Sequence, residues 1–134
     1  MTVMNWNDCN KNFIRRVKVD PERAESLKEM ALKRLKRARV GNETEFIVED
    51  YYEVIKELLI AYLLTNGLRS KNHQCLISYF LKEHPEYEAE AYLIQQMSYF
   101  RNRLEYYGES VPKEFLDNNR DEFENIIAII LDLC

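Results

Sequence analysis

The chain has 134 residues, with three each of glycine, proline and cysteine. That length fits a single domain burying roughly two thirds of its unfolded surface. So few turn residues exclude a sandwich of many short strands, while abundant Leu, Glu, Lys, Arg and Ala favour helix. The net charge of −4 hides a division: residues 1–41 hold 11 Lys/Arg against 5 Asp/Glu, and residues 42–134 hold 8 against 18. Either basic and acidic helices lie beside one another, within the chain or across a dimer, or the N-terminal part offers phosphate a basic surface.

Residues 1–20 read as an N-terminal arm. They do not form an export signal, because Arg15, Arg16 and Lys18 follow the short apolar pair Phe13-Ile14 instead of preceding a long apolar run. The longest apolar run, Leu58 to Leu64, includes Tyr62 and is too short to cross a membrane. Cys9, Cys75 and Cys134 form no Cys-x-x-Cys pair, and an odd count without a secretory segment predicts free thiols in a reducing cytoplasm.

Asp20-Pro21-Glu22 predicts a helix start: an N-cap, a proline at the first helical position and an acid on the positive end of the dipole. Leu27, Met30, Ala31, Leu35 and Ala38 supply its apolar face, Lys28, Lys33, Lys36 and Arg37 lie opposite, and Val40-Gly41 ends it. Asn42 with Glu45 resembles a capping box, followed by a broad apolar face through Val48, Tyr51, Tyr52, Ile55, Leu58, Leu59, Tyr62 and Leu63 to Asn66-Gly67. A short helix over 71–83 turns Cys75, Leu76, Phe80 and Leu81 inward. Pro85 opens a fourth, with Ala91, Ile94, Met97 and Leu104 inward as far as Gly108, and Pro112 opens a fifth, buried through Phe115, Leu116, Phe123, Ile126, Ile127, Ile130 and Leu133. All three glycines fall just after a predicted helix, where a left-handed residue is wanted. Short links favour antiparallel neighbours, so the predicted fold is all-α, an up-and-down four- to five-helix bundle.

Familiar catalytic signatures are missing. No Gly-x-Gly-x-x-Gly or phosphate-loop pattern exists to cradle a cofactor, and His73 and His84 lack neighbours at metal-ligand spacing. The stretch Lys33-Arg34, Lys36-Arg37, Arg39 has no interleaved aromatics for base stacking and reads as a solvated face. Arg101 stands apart. In helical projection it lies beside Ile94, Met97, Ser98 and Glu105, and a guanidinium near an apolar stripe is costly unless it meets a carboxylate, a phosphate or a twofold mate. An internal pair with Glu105 at four-residue spacing is the plain alternative. Tyr106 and Tyr107 lie about 140° and 240° further round a continuous helix, so they meet Arg101 only if the helix unwinds near Gly108.

These residues resemble the HEPN domain family, an all-helical bundle of prokaryotic nucleotide-related and toxin systems. The resemblance runs through Trp6 and Cys9, the Asp20 start with Ala24, Leu27 and Ala31, the segment Tyr51 to Leu59, the turn Gly67 to His73, and Phe100 to Gly108, and is most like the archaeal branch. It implies a symmetric homodimer with an arginine, an adjacent polar residue and then a histidine near the end of a late helix. In ribonuclease members these groups line a composite cleft and cut RNA. Arg101 and Asn102 occupy the first two places here, and the histidine place falls on Tyr106 or Tyr107. Imidazole titrates near pH 6.5 and a phenol near 10, so binding of a nucleotide or RNA phosphate survives the change better than catalysis does. The resemblance also implies a minimal nucleotidyltransferase partner, as in toxin–antitoxin-like systems, that attaches AMP to Tyr106 or Tyr107. The expected function is a homodimeric binding module using Arg101, Asn102, Tyr106 and Tyr107. The alternatives are a weak metal-independent endoribonuclease using the same residues, with His73 nearby, and a purely structural bundle.

Overall fold

The computed structural model describes residues 2–134. It contains six α-helices and one two-stranded ribbon: α1 (Trp6–Asn12), β1 (Ile14–Arg16), α2 (Pro21–Arg39), α3 (Thr44–Thr65), β2 (Leu68–Ser70), α4 (Gln74–Glu83), α5 (Glu88–Tyr107) and α6 (Lys113–Leu133), with a 3₁₀ turn over Pro85–Tyr87. The all-α class and the five main helices stand as predicted. The N-terminal arm differs, because it folds into α1, whose Asn5 side chain accepts from Asn7 N–H, and then into β1. Strand β1 pairs antiparallel with β2 in the register Ile14↔Ser70, Arg15↔Arg69, Arg16↔Leu68.

Helix α3 is the spine. Its apolar residues are too many for a single face, and 14 of its positions are buried, as a helix packed on several sides requires. Helix α2 lies along it, α6 packs chiefly on α3, and α5 bridges α3 and α4. The core formed there includes Tyr51, Phe80, Phe123, Ile55 and Met97, all fully buried. Tyr51 lies 5.4 Å from Phe123, ring to ring, and Phe115 sits 4.6 Å from Phe100. Met30, predicted inward on α2, is 51% exposed, because α2 buries only the narrow stripe Ala24, Ala31, Leu35 and Ala38 against α3.

The helix ends follow local chemistry. Asp20 accepts from Arg23 N–H at 3.1 Å, the expected cap. The Asn42–Glu45 capping box does not form: Glu43 holds the cap position of α3 without a side-chain bond. Gly67 and Gly108 are left-handed, at φ 71° and 64°. Gly41 is not, and absence of a side chain serves it differently, since a Cβ there would meet Ile47 Cγ1 at 2.8 Å.

The expectation of three free thiols is corrected. Packing of α1 on α4 brings Cys9 and Cys75 together as a disulfide across 66 residues of sequence, and Cys134 alone is free among the described residues. A pairing set by tertiary contact leaves no local spacing signal. No helix is long and apolar enough to cross a membrane, among the described residues.

Candidate functional site

The basic charge of residues 1–41 is partly spent inside the fold. Three of the five cations from Lys33 to Arg39 are absorbed internally: Arg34 meets Glu57 at 2.7 Å, Arg37 grips Asp50 at 2.6 and 2.9 Å, and Arg39 grips Glu124 at 2.6 and 3.1 Å. Glu124 also accepts from Tyr51 Oη at 2.7 Å. The basic N-terminal segment and the acidic remainder of the sequence therefore lie side by side, and this face of α2 is a structural seam.

Arg101 belongs to a different environment. It projects from α5 toward α3 and the start of α4, into a cleft of about 320 Å³ lined by Lys56, Lys71, His73, Gln74, Asn102 and Tyr106, with Phe13 and Tyr52 as apolar walls. No carboxylate lines it. The nearest acid to the guanidinium is Glu53, one turn before Lys56 on α3, whose Oε1 lies 3.4 Å from Arg101 and whose Oε2 lies 2.6 Å from Lys56 Nζ. Glu105, the partner expected from four-residue spacing, is farther, at 3.9 Å. Glu53 thus holds both cations from behind and leaves their outer faces to the cleft.

The arrangement has unspent bonding capacity. Arg101 Nε, Glu53 Oε1 and Gln74 Oε1 are buried without hydrogen-bond partners, whereas buried polar groups are ordinarily satisfied. Arg101 Nη1 reaches Asn102 Oδ1 at 3.4 Å, and Gln74 Nε2 donates to Ser98 Oγ at 2.8 Å, so the amides are oriented from the cleft wall. Of the unpartnered atoms only Arg101 Nε is a donor, and the two oxygens are acceptors; what the cleft offers an anionic oxygen is the Arg101 guanidinium, able to give two parallel bonds, with Lys56 and Lys71.

His73 stands at the mouth as the cap residue of α4. Its imidazole is pushed below its ordinary value by partial burial and by Lys56 and Arg101, against the opposing pull of Glu53. It is therefore predominantly neutral at physiological pH and competent to accept a proton. Tyr52, behind it, is held protonated by burial, which raises its phenol.

Of the residues expected from sequence, Arg101, Asn102 and Tyr106 share this cleft and Tyr107 does not. Tyr107 instead lies against the Arg103 guanidinium, 4.6 Å from ring centre to Arg103 Cζ, and Arg103 is held by Glu109. Helix α5 remains regular to Tyr107, so the unwinding expected near Gly108 does not occur. Tyr106 reaches the cleft rim without it, because it stands one turn, four residues, after Asn102, which also lines the cleft. Lys56, Glu53 and Gln74 were missed. The three-residue spacing of Glu53 and Lys56 is a signal for their mutual pairing, but nothing local announces that α5 crosses just there.

No family model, no curated protein and no solved structure matches the chain. The reading of the cleft rests on its geometry.

Proposed function

We propose that this protein is an HEPN-like binding module that holds a phosphate-bearing ligand, a nucleotide or an RNA phosphate, in the Arg101 cleft. The observation that carries this reading is the half-buried guanidinium itself, 23% exposed, fixed from behind by Glu53 and backed by Lys56 and Lys71 on a wall with no carboxylate. Asn102 and the Tyr106 hydroxyl add neutral donors. Binding to the folded state alone must raise the unfolding midpoint, by about 2.7 kcal/mol of stability at a hundredfold excess over Kd. Thermal shift with mono- and dinucleotides tests it. The midpoint should rise in the native chain and stay put in Arg101→Ala, and no rise with any nucleotide at large excess would remove the reading.

The proposal includes a homodimer and a minimal nucleotidyltransferase partner. Tyr106 and Tyr107 support the second of these, being 72% and 68% exposed and so open to AMP transfer, in which the phenol oxygen, losing its proton, attacks the α-phosphorus of the adenine nucleoside triphosphate bound by that partner and pyrophosphate leaves. Tyr106 is the preferred acceptor, since it alone of the two lies on the cleft. Intact mass of the native chain would reveal one added AMP, lost in Tyr106→Phe. Work in the cytoplasm is part of this reading. Disulfides are uncommon in a reducing compartment; both residues of the Cys9–Cys75 bond have 0% exposure, which slows attack by thiol reductants once the bond has formed.

His73 favours a second reading, a metal-independent endoribonuclease in which His73, not a tyrosine, takes the proton and Arg101 stabilises the charge building on phosphorus. Cleavage of labelled RNA in chelator, abolished by His73→Gln and by Arg101→Ala, is the expected result for an enzyme. Cleavage unchanged by both would remove these residues from the chemistry.

A further inference from the structure

We infer that the β1–β2 ribbon is the outer half of the same binding surface and carries the phosphodiester backbone of a single-stranded nucleic acid away from the Arg101 cleft. This rests on the phosphate-binding reading of the cleft and names its ligand as a strand, not a mononucleotide.

The key feature is the register, which sets Arg15 directly opposite Arg69. Like charges facing each other across an antiparallel pair are destabilising. The chain has 23 acidic residues with which to neutralise such a pair, and it does so for Arg34, Arg37 and Arg39. Neither Arg15 nor Arg69 makes an ion pair among the described residues, and both are exposed. Asp20, the nearest acid along the chain after Arg16, is engaged as the α2 cap. The folded chain therefore tolerates a repulsion that an outside anion would relieve.

The position of the pair gives that anion a direction. Side chains two residues apart share a face of a strand, so Phe13 lies on the face of Arg15, and Lys71 on that of Arg69. The ladder continues to them, Lys71 N–H donating to Phe13 O at 3.0 Å. Phe13 and Lys71 are also cleft wall. One face therefore runs unbroken from the Arg101 cleft through Lys71 to the Arg15–Arg69 pair, in steps of about 7 Å. A single phosphate cannot meet cations so spread, whereas successive phosphates of one strand can. A cleft of about 320 Å³ is at the small end of ligand pockets, so most of a strand must lie outside it. Phe13 and Tyr106 at its lips offer aromatic faces for flanking bases.

Backbone phosphates occur in RNA and DNA alike, so the test uses both. Fluorescence anisotropy with labelled uridine and deoxythymidine oligonucleotides of about twelve nucleotides is compared for the native chain, Arg15→Ala with Arg69→Ala, and Arg101→Ala. The ribbon double variant should weaken both oligonucleotides by about tenfold at low salt and flatten the slope of log affinity against log salt by about 1.4, two phosphate contacts' worth. It should leave the mononucleotide thermal shift untouched, and its own unfolding midpoint should be unchanged or higher, because a like-charge pair is gone. Native affinity and slope in that variant overturn the inference while leaving the cleft reading in place. A loss confined to the uridine strand also overturns it, since that would be sugar recognition. If Arg101→Ala keeps the mononucleotide shift while the ribbon variant loses strand affinity, the cleft reading falls and the ribbon stands.

Discussion

Arg37 and Arg101 both reach from a neighbouring helix to an acidic residue of α3, and they end in opposite states. Arg37 closes two bonds on Asp50, at 2.6 and 2.9 Å, and Arg39 does the same on Glu124 with Tyr51 as third member. Arg101 approaches Glu53 no closer than 3.4 Å, keeps its Nε unpartnered, and shares that carboxylate with Lys56. The difference separates a seam whose charges are spent on the fold from a cleft whose charges are held in reserve. An unclosed guanidinium supported from behind is pre-organised for an external anion and costs no rearrangement to use.

The strongest way to break the comparison is to damage the seam side and ask whether the cleft survives. Phe123→Ala should cost about 4 kcal/mol, because the ring is fully buried against Tyr51 and Phe115 and the helices around it cannot close the cavity. Urea unfolding measures it, and a loss below about 1 kcal/mol would mean that the α3–α6 contact is not the stabilising core. Replacing Cys9 and Cys75 together by serine should cost about 3 kcal/mol, as expected when a long loop is freed in the unfolded state. That change acts next to the cleft, since Cys75 follows Gln74, and so should also loosen His73 and Gln74.

Smaller substitutions sharpen the contrast. Arg37→Ala strands Asp50, which is 8% exposed, and should cost about 1.5 kcal/mol after allowing for the solvent around the arginine. Arg101→Ala leaves Glu53 with its Lys56 partner and should cost about 0.5 kcal/mol. Denaturation of the two variants side by side decides the matter. If Arg101→Ala proves the more damaging, the guanidinium is a structural tie and its role as a reserved donor is lost.

The fold was legible where physics is local. The apolar periods of α3 and α6, the Asp20 cap and the left-handed Gly67 and Gly108 all follow from neighbours in sequence. So did the position of Arg101 beside the apolar stripe of α5. What escaped was set by contacts between distant segments. The Ile14–Arg16 strand is too short to show alternation and exists because Leu68–Ser70 lies beside it. The Cys9–Cys75 bond has the same origin. Lys56 could be placed on α3 from sequence, but its convergence with Lys71 and His73 depends on the crossing of three elements. Tyr106 and Tyr107, adjacent in sequence, part company for the same reason, one on the cleft rim and the other over Arg103.

The subtlest expected difference is one of sign with pH. On the seam, hydrogen bonds from Arg39 and Tyr51 hold the Glu124 carboxyl below its ordinary value of 4.5. A depressed acid contributes stability that is present above its unfolded value and is lost as pH falls through the folded one. Next to Asp50 on α3, burial and the nearby Glu105 raise Glu49 above 4.5, with Arg101 opposing. A raised acid does the reverse: its favourable contribution is complete below the unfolded value and disappears as pH rises through the folded one. At neutral pH Glu124→Gln should therefore lower the unfolding midpoint and Glu49→Gln should raise it. Both differences should shrink as the pH is taken below the titration of each group, because a protonated carboxyl and an amide carry the same charge. Midpoints measured from neutral pH into the acid range for the three chains test this directly. Changes of the same sign in the two variants would show that the paired Glu124 and Glu49, unpaired among the described residues, do not act on stability in opposite directions.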